Sequence, residues 1–294
     1  MQLHPMHPAA WVLDQLTECS WRVVELVSFT RSSTLVLAHR DGEQPVVLKA
    51  GFGSNHVLEA LPDEQRPAAY GFYWYQQMTA AERGLAREDF RYERDLATEV
   101  TGSNHVVPVL DTGTCSAFDW YTMPHYPDGN FRTSMLRAGT PATGVTHTGQ
   151  ISILADVAAG LISLHQHGIV HRDVYQENIL IDHGRGLITD LGAARRLPSP
   201  RGPHRRGPEV HWPPEYRTSY SDAGVEADVF SLGVLAYRVL FNDIPRAGDP
   251  PRPPAGYSVL TETVDAALAH RPADRPTMAQ LHSALLHIAV AAAS

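Results

Sequence analysis

Cysteine is nearly absent: the 294 residues include only Cys19 and Cys115, in no CxxC or metal-ligand spacing. That spacing suggests neither a disulfide framework nor a thiolate zinc site, and a reducing, cytoplasmic setting fits it best. Long apolar runs are missing as well. VFSLGVLAYRVLF (229–241) and ALLHIAVAAA (284–293) are too short to cross a bilayer, and MQLHPMHPAA at the start has neither the basic nor the apolar region of a signal peptide, so no membrane partner is expected. A positive surplus is also lacking. The net charge of -8 argues against nucleic acid or an anionic membrane as partner, while leaving room for a local basic patch. Sixteen histidines are present, but they are scattered; His165 and His167 stand two apart and cannot share a helix face, and no carboxylate or thiol partners suggest a metal site.

What remains is an ordinary globular composition, 43% hydrophobic and 19% charged, which rules against disorder and allows one large domain or two lobes. From Trp21 to Ala50 the pattern predicts three strands, WRVVELV, TLVLAHR and PVVLKA, with a hairpin signal at Asp41-Gly42. Residues 51–78 read as an insertion holding the aromatic cluster Tyr70, Phe72, Tyr73, Trp74 and Tyr75. The stretch 79–100 predicts a long helix, and VVPVLDTG and DWYTM two further strands. After the turn-rich 124–130, apolar residues at Ile151, Leu154, Val157, Ala158, Leu161 and Leu164 predict a buried helix stopped at Gly168. Strands NILID and GLITD, an Arg- and Pro-rich loop (193–214) and more helices follow. The expected architecture is α+β, with an N-terminal extension (1–20), a strand-rich lobe with one long helix (21–125) and a mostly helical lobe (126–294).

Several motifs carry chemistry. In order they are VVLK with Lys49, an acidic helix with Glu93, HRDVYQEN with Asp173 and Asn178, TDLG with Asp190, PPE with Glu215, DVFSLGVLAY with Asp228, and DRP with Arg275. Taken singly each has a plainer reading: a strand-end lysine is usually a solvated charge, and a turn aspartate usually a cap. Seven in this order resemble the eukaryotic-type (Hanks-type) Ser/Thr protein kinases of bacteria over about residues 20–290. The resemblance implies a bilobal protein-kinase-like fold and an ATP- and Mg2+-dependent phosphotransferase. Such a reaction depends on positioning and charge neutralisation, and each carried-over residue has such a task. The resemblance implies that Lys49 grips the α- and β-phosphates and that Glu93 braces it, with Glu99 and Glu82 as alternative partners. By the same resemblance Asp190 and Asn178 would hold Mg2+, Asp173 would accept or orient the acceptor hydroxyl's proton, and Val47, Met123, His125 and Leu180 would line the nucleotide site. Glu215, Asp228 and Arg275 are implied to be structural.

The chain also departs from that family's pattern. SFTRSS (28–33) places Ser28, Thr30 and Ser33 where three glycines normally admit phosphate to backbone N–H groups, with Arg31 at the tip. Val47 replaces a small alanine. Tyr175 stands where a lysine is expected, and Pro208 where its partner threonine is expected. This paired loss points to a changed acceptor, such as a modified peptide or a small molecule beside the default protein substrate, or to a pseudokinase that binds a regulatory partner. Arg195, Arg196, Arg201, Arg205 and Arg206 read either as a solvated face or as an anion-receiving surface, with Ser199 a candidate phosphorylation site that Arg172 would help order. The 70–75 aromatic cluster reads as core packing or as a docking surface for a regulatory protein.

Overall fold

Alternating β-branched and apolar residues in the N-terminal stretch have one arrangement that buries them, an antiparallel sheet covered on one face. The computed structural model, which describes residues 9–30, 32–53, 80–115, 118–137, 147–201, 209–245 and 258–291, contains that sheet. Arg31, Arg205, Arg206, Pro208, most of the 51–78 insertion and its aromatic cluster lie outside the described residues.

Strands β1 (Arg22–Phe29), β2 (Thr34–His39), β3 (Val46–Ala50), β4 (Asp111–Thr114) and β5 (Asp119–Pro124) are ordered β1-β2-β3-β5-β4, every pairing antiparallel. Register sets Lys49 opposite Leu35 on one side and Tyr121 on the other. Among the described residues, two helices accompany the sheet, α1 (Ala9–Glu18) and α2 (Ala80–Glu99). The first was not foreseen, because its signal, Val12 and Leu16 among polar residues, spans fewer than three turns. Both residues are fully buried, in one core cluster with Trp21, Val36, Leu48 and Trp120. Helix α1 therefore contributes Val12 and Leu16 to the core of this unit. The same cluster joins Cys19 and Cys115, paired with their Cα atoms 6.3 Å apart, which corrects the reading from spacing alone. Folding brings them together across a sequence separation of 96.

Residues Met1–Thr101 and Pro108–His125 form this compact unit; Gly102–Val107 and Tyr126–Ser294 form a second. The expected strand through VVPVL is absent. Val106 makes only an isolated bridge to Ile188, and the Val107 N–H donates to the Ile188 carbonyl at 3.0 Å, so this piece belongs with the second unit.

The second unit is built on α3 (Phe131–Arg137) and α4 (His147–Gln166), the latter carrying Ile151, Leu154, Val157, Ala158, Leu161 and Leu164 on its buried side. Gly168, at φ +69°, turns the chain just beyond it. Short strands follow: β6 (Ile169–Val170), pairing with β9 (Arg195–Arg196), and the hairpin β7 (Ile179–Asp182) with β8 (Arg185–Ile188). Then come α5 (Tyr216–Ser219), α6 (Glu226–Phe241), α7 (Ser258–Ala267) and α8 (Met278–Ala291), with α8 packed on both α4 and α7. The class is α+β, an antiparallel sheet unit followed by a mostly helical one.

Candidate active site

In the first unit, β3 delivers Lys49 to a buried position, 4% exposed, where an uncompensated ammonium would be costly. The compensation comes from Glu93, itself 3% exposed, in the middle of α2; the two form an ion pair. Glu99 is exposed at the end of that helix, and the side chain of Glu82 lies outside the described residues. Tyr121 completes the group: its hydroxyl donates to Glu93 Oε1 at 2.8 Å. Nothing in motif reading singled out Tyr121, yet the β3–β5 register places it beside Lys49.

The phosphate-loop candidates sit at the β1–β2 turn. Ser28 pairs with Leu35 inside the strands. Thr30 Oγ1 accepts from the N–H of Ser33 at 3.1 Å and of Ser32 at 3.3 Å, and Thr30 N–H donates to Ser33 O at 2.9 Å. Ser33 is buried. A threonine hydroxyl thus occupies amides that a glycine-rich loop would leave open. Val47 and Met123 face each other across β3 and β5, both shielded, and His125 is exposed.

In the second unit, one buried carboxylate organises the HRD loop. Asp228, in the first turn of α6, accepts the backbone N–H of His171 (2.9 Å) and of Arg172 (2.8 Å), while His165 Nε2 lies 2.8 Å from its Oδ2. Burial alone would raise the pKa of this fully enclosed carboxyl; the hydrogen bond and charge of His165, with help from His171, bring it below the ordinary value. Arg172 takes a left-handed backbone, φ +65°, a strained choice for a side-chain-bearing residue that those two bonds hold in place. Its neighbour Asp173 is 8% exposed and accepts from Asn178 Nδ2 twice, at 2.9 Å on its carbonyl and 3.1 Å on its carboxylate. Asp190, after β8, is also left-handed (φ +63°, ψ +81°) and its Oδ1 accepts the Gly192 N–H at 3.1 Å. Leu180 lies in β7, bridged to Asn130.

The arginine-rich loop is not simply a solvated face. Arg195 is 3% exposed and donates to Ser221 O and Pro198 O, both at 2.9 Å. Arg172, equally buried, donates to Ala193 O (2.8 Å), Tyr220 O (2.9 Å) and Arg201 O (3.1 Å), with Tyr220's ring 4.3 Å from its guanidinium. These cations hold main chain, whereas Ser199 is exposed. Glu215 and Arg275 form a two-pronged pair at 2.7 Å each, with Arg275's side chain fully enclosed.

Tyr175 packs its ring 6.3 Å from that of His211, a residue missed in the sequence because it has no motif of its own. His211 is 3% exposed, and burial, then the nearby Arg238 charge, push its imidazole down to about 4.

Residues 75–267 match the protein kinase domain. Among curated relatives, the probable serine/threonine-protein kinase pknA2 of Bifidobacterium longum is 32% identical over 181 residues, covering 59% of this chain and 23% of that protein. The serine/threonine-protein kinase PknB of Mycolicibacterium smegmatis is 29% identical over 199 residues (63% and 31%), and PrkC of Bacillus subtilis 28% over 192 residues (64% and 27%). The matched part thus amounts to between 23% and 31% of those relatives' lengths. On these matches, the chain belongs to the protein kinase domain family, alongside the Hanks-type serine/threonine kinases of bacteria.

Proposed function

We propose that this chain is an ATP- and Mg2+-dependent phosphotransferase acting on a hydroxyl of a protein or peptide. The observation that carries the reading is the loop tethered by Asp228, on which Asp173 and Asn178 are buried in mutual contact, together with the left-handed Asp190. Strained backbone held this firmly marks places where side-chain aim matters more than local stability.

The donor set suits Mg2+. That ion takes oxygen from one or two protein groups and completes its shell with water and substrate phosphates, so Asp190 and Asn178 are enough without a cage of three acids. Bound there, Mg2+ would supply neutralisation of phosphate charge. Asn178 spends its amide nitrogen on Asp173, leaving its oxygen as the atom for a cation. Lys49, held by Glu93 and through it by Tyr121, would bind phosphate oxygens as a fixed charge. Asp173 would take or orient the proton of the acceptor hydroxyl, with Asn178 fixing its carboxylate.

A second reading, a partner-binding pseudokinase, draws on one observation: Thr30 ties up the amides of Ser32 and Ser33. Calorimetric titration with ATP, with and without Mg2+, separates the two. The expected result is saturable binding that requires Mg2+ and weakens about tenfold or more in Asp190→Asn. No heat up to millimolar ATP would leave the pseudokinase reading in its place.

A further inference from the structure

Among the described residues, no side chain in the first half of α2, before Phe90, is buried, and Leu85 stands in solvent, 61% exposed. A helix end with so little apolar contact has little to hold it on a sheet. The tie that the structure gives it is ionic. Arg87 Nε and Arg91 Nε, one helical turn apart, donate to Asp119 Oδ2 at 3.0 and 2.7 Å, and Arg87 Nη2 donates to Oδ1 at 3.5 Å. Asp119 begins β5 with its side chain 1% exposed, whereas those of Arg87 and Arg91 are 32% and 47% exposed. The aspartate is itself fixed: Thr114 Oγ1 on β4 donates to its Oδ1 at 2.6 Å, and the Gly51 N–H donates to its carbonyl at 2.9 Å. A pair whose acid is buried adds little stability compared with apolar packing; what it adds is orientation.

We propose that Asp119 is a positioning residue: by holding Arg87 and Arg91 it sets the lie of α2, and so keeps Glu93 against Lys49. It rests on the phosphotransferase reading for the use of that ion pair. Asp119 and Tyr121 lie two residues apart on β5 and face the same side of the sheet, the side that receives α2. Tyr121 and Lys49 take Glu93, while Asp119 takes the arginines six and two residues earlier on the helix. Arg87 and Glu93 are about 9 Å apart along the helix axis, so two separated points fix its direction where one would leave it free to swing. Between them, a Cβ at Gly51 would stand 2.5 Å from the Phe90 ring. The helix therefore cannot settle deeper; it can only lift, and lifting is what the arginines oppose. Lys49 is the only lysine in the sequence, so no second ammonium replaces it if the pair opens.

That single lysine gives the test. The whole chain, without ATP, is treated with a small N-hydroxysuccinimide ester, and acylation of Lys49 is followed by mass spectrometry with the terminal amine as internal reference. An amine enclosed in an ion pair reacts only when the pair opens. Asp119→Asn keeps the shape and removes the charge; it is expected to speed Lys49 acylation about tenfold and to leave the terminal amine unchanged. Val12→Ala controls for lost stability, because it loosens the core on the opposite face of the same sheet, beside Leu48 and Trp120. It is expected to leave the Lys49 rate within about twofold of wild type. Should Asp119→Asn not fold, as read by circular dichroism, the double variant Arg87→Gln/Arg91→Gln removes the partners at the more exposed end and is expected to give the same rise. Lys49 acylated at the wild-type rate in the variants that fold, or as fast in Val12→Ala as in Asp119→Asn, overturns the proposal. The ATP titration is a separate result: faster acylation in Asp119→Asn with no ATP binding by wild type would keep Asp119's hold on the helix and sink the phosphotransferase reading, and ATP binding with an unchanged acylation rate would do the opposite.

Discussion

At the scale of single residues, the buried pair Lys49–Glu93 and its third member Tyr121 differ in what their loss leaves behind. Glu93→Ala strands a buried ammonium and is expected to lower unfolding free energy by about 3–5 kcal/mol. Tyr121→Phe removes one hydrogen bond to a charged group and is expected to cost about 1.5–3 kcal/mol. Urea denaturation of both variants checks the order; equal losses would mean that Tyr121 is more than a brace. The sequence offered three glutamates for Lys49, because the insertion hides the helix register. Only the fold distinguishes buried Glu93 from exposed Glu99. His211 was not legible at all: its neighbours Tyr175 and Arg238 lie 36 and 27 positions away, and no local pattern announces such a meeting.

Among elements, α4 shows what a periodic pattern can and cannot say. Its apolar spacing announced a buried helix, but not what it packs against. A Cβ at Gly160 would stand 2.5 Å from the His105 carbonyl and 3.1 Å from Ile188 Cγ2, so the helix meets the 102–107 segment and β8 without room for a methyl group. Gly160→Ala is therefore expected to destabilise by about 1–3 kcal/mol despite alanine's better helix propensity. The denaturation midpoint should fall with its slope unchanged. A rise in stability would show that propensity wins there. Helix α1 was missed and the 106–110 stretch was misread as a strand, for opposite reasons. The first is too short for its period to register, and the second has a strand-like composition but finds only one bridging partner.

For the whole molecule, acid is the informative variable. His211 is held neutral, with its folded value near 4 against an ordinary 6.5, so the unfolded chain binds the proton first. Its contribution is complete above about pH 6.5 and is lost as pH falls toward 4, up to about 3 kcal/mol. Asp119 follows lower down. Burial alone would raise its carboxyl, but Arg87, Thr114 and Arg91 outweigh that and hold it at about 2 against 3.8, so its share fades between those values. Denaturation at pH 7.5 and 4.5 should show a clear loss in wild type and a smaller one in His211→Asn. Equal losses in the two would exclude His211 as a source.

The sequence by itself determined the α+β class, the order of the strands and helices from β1 onward apart from the 106–110 stretch, and the residues that resemble a kinase's. Period, turn residues and motif spacing are local properties of the chain. The tertiary structure alone decided which glutamate meets Lys49, that Cys19 and Cys115 pair, that Arg172 and Arg195 serve backbone carbonyls rather than solvent, and that Arg238 meets Gln176 and His211. Each of these depends on which distant groups share a low-dielectric neighbourhood, and only the folded chain sets that.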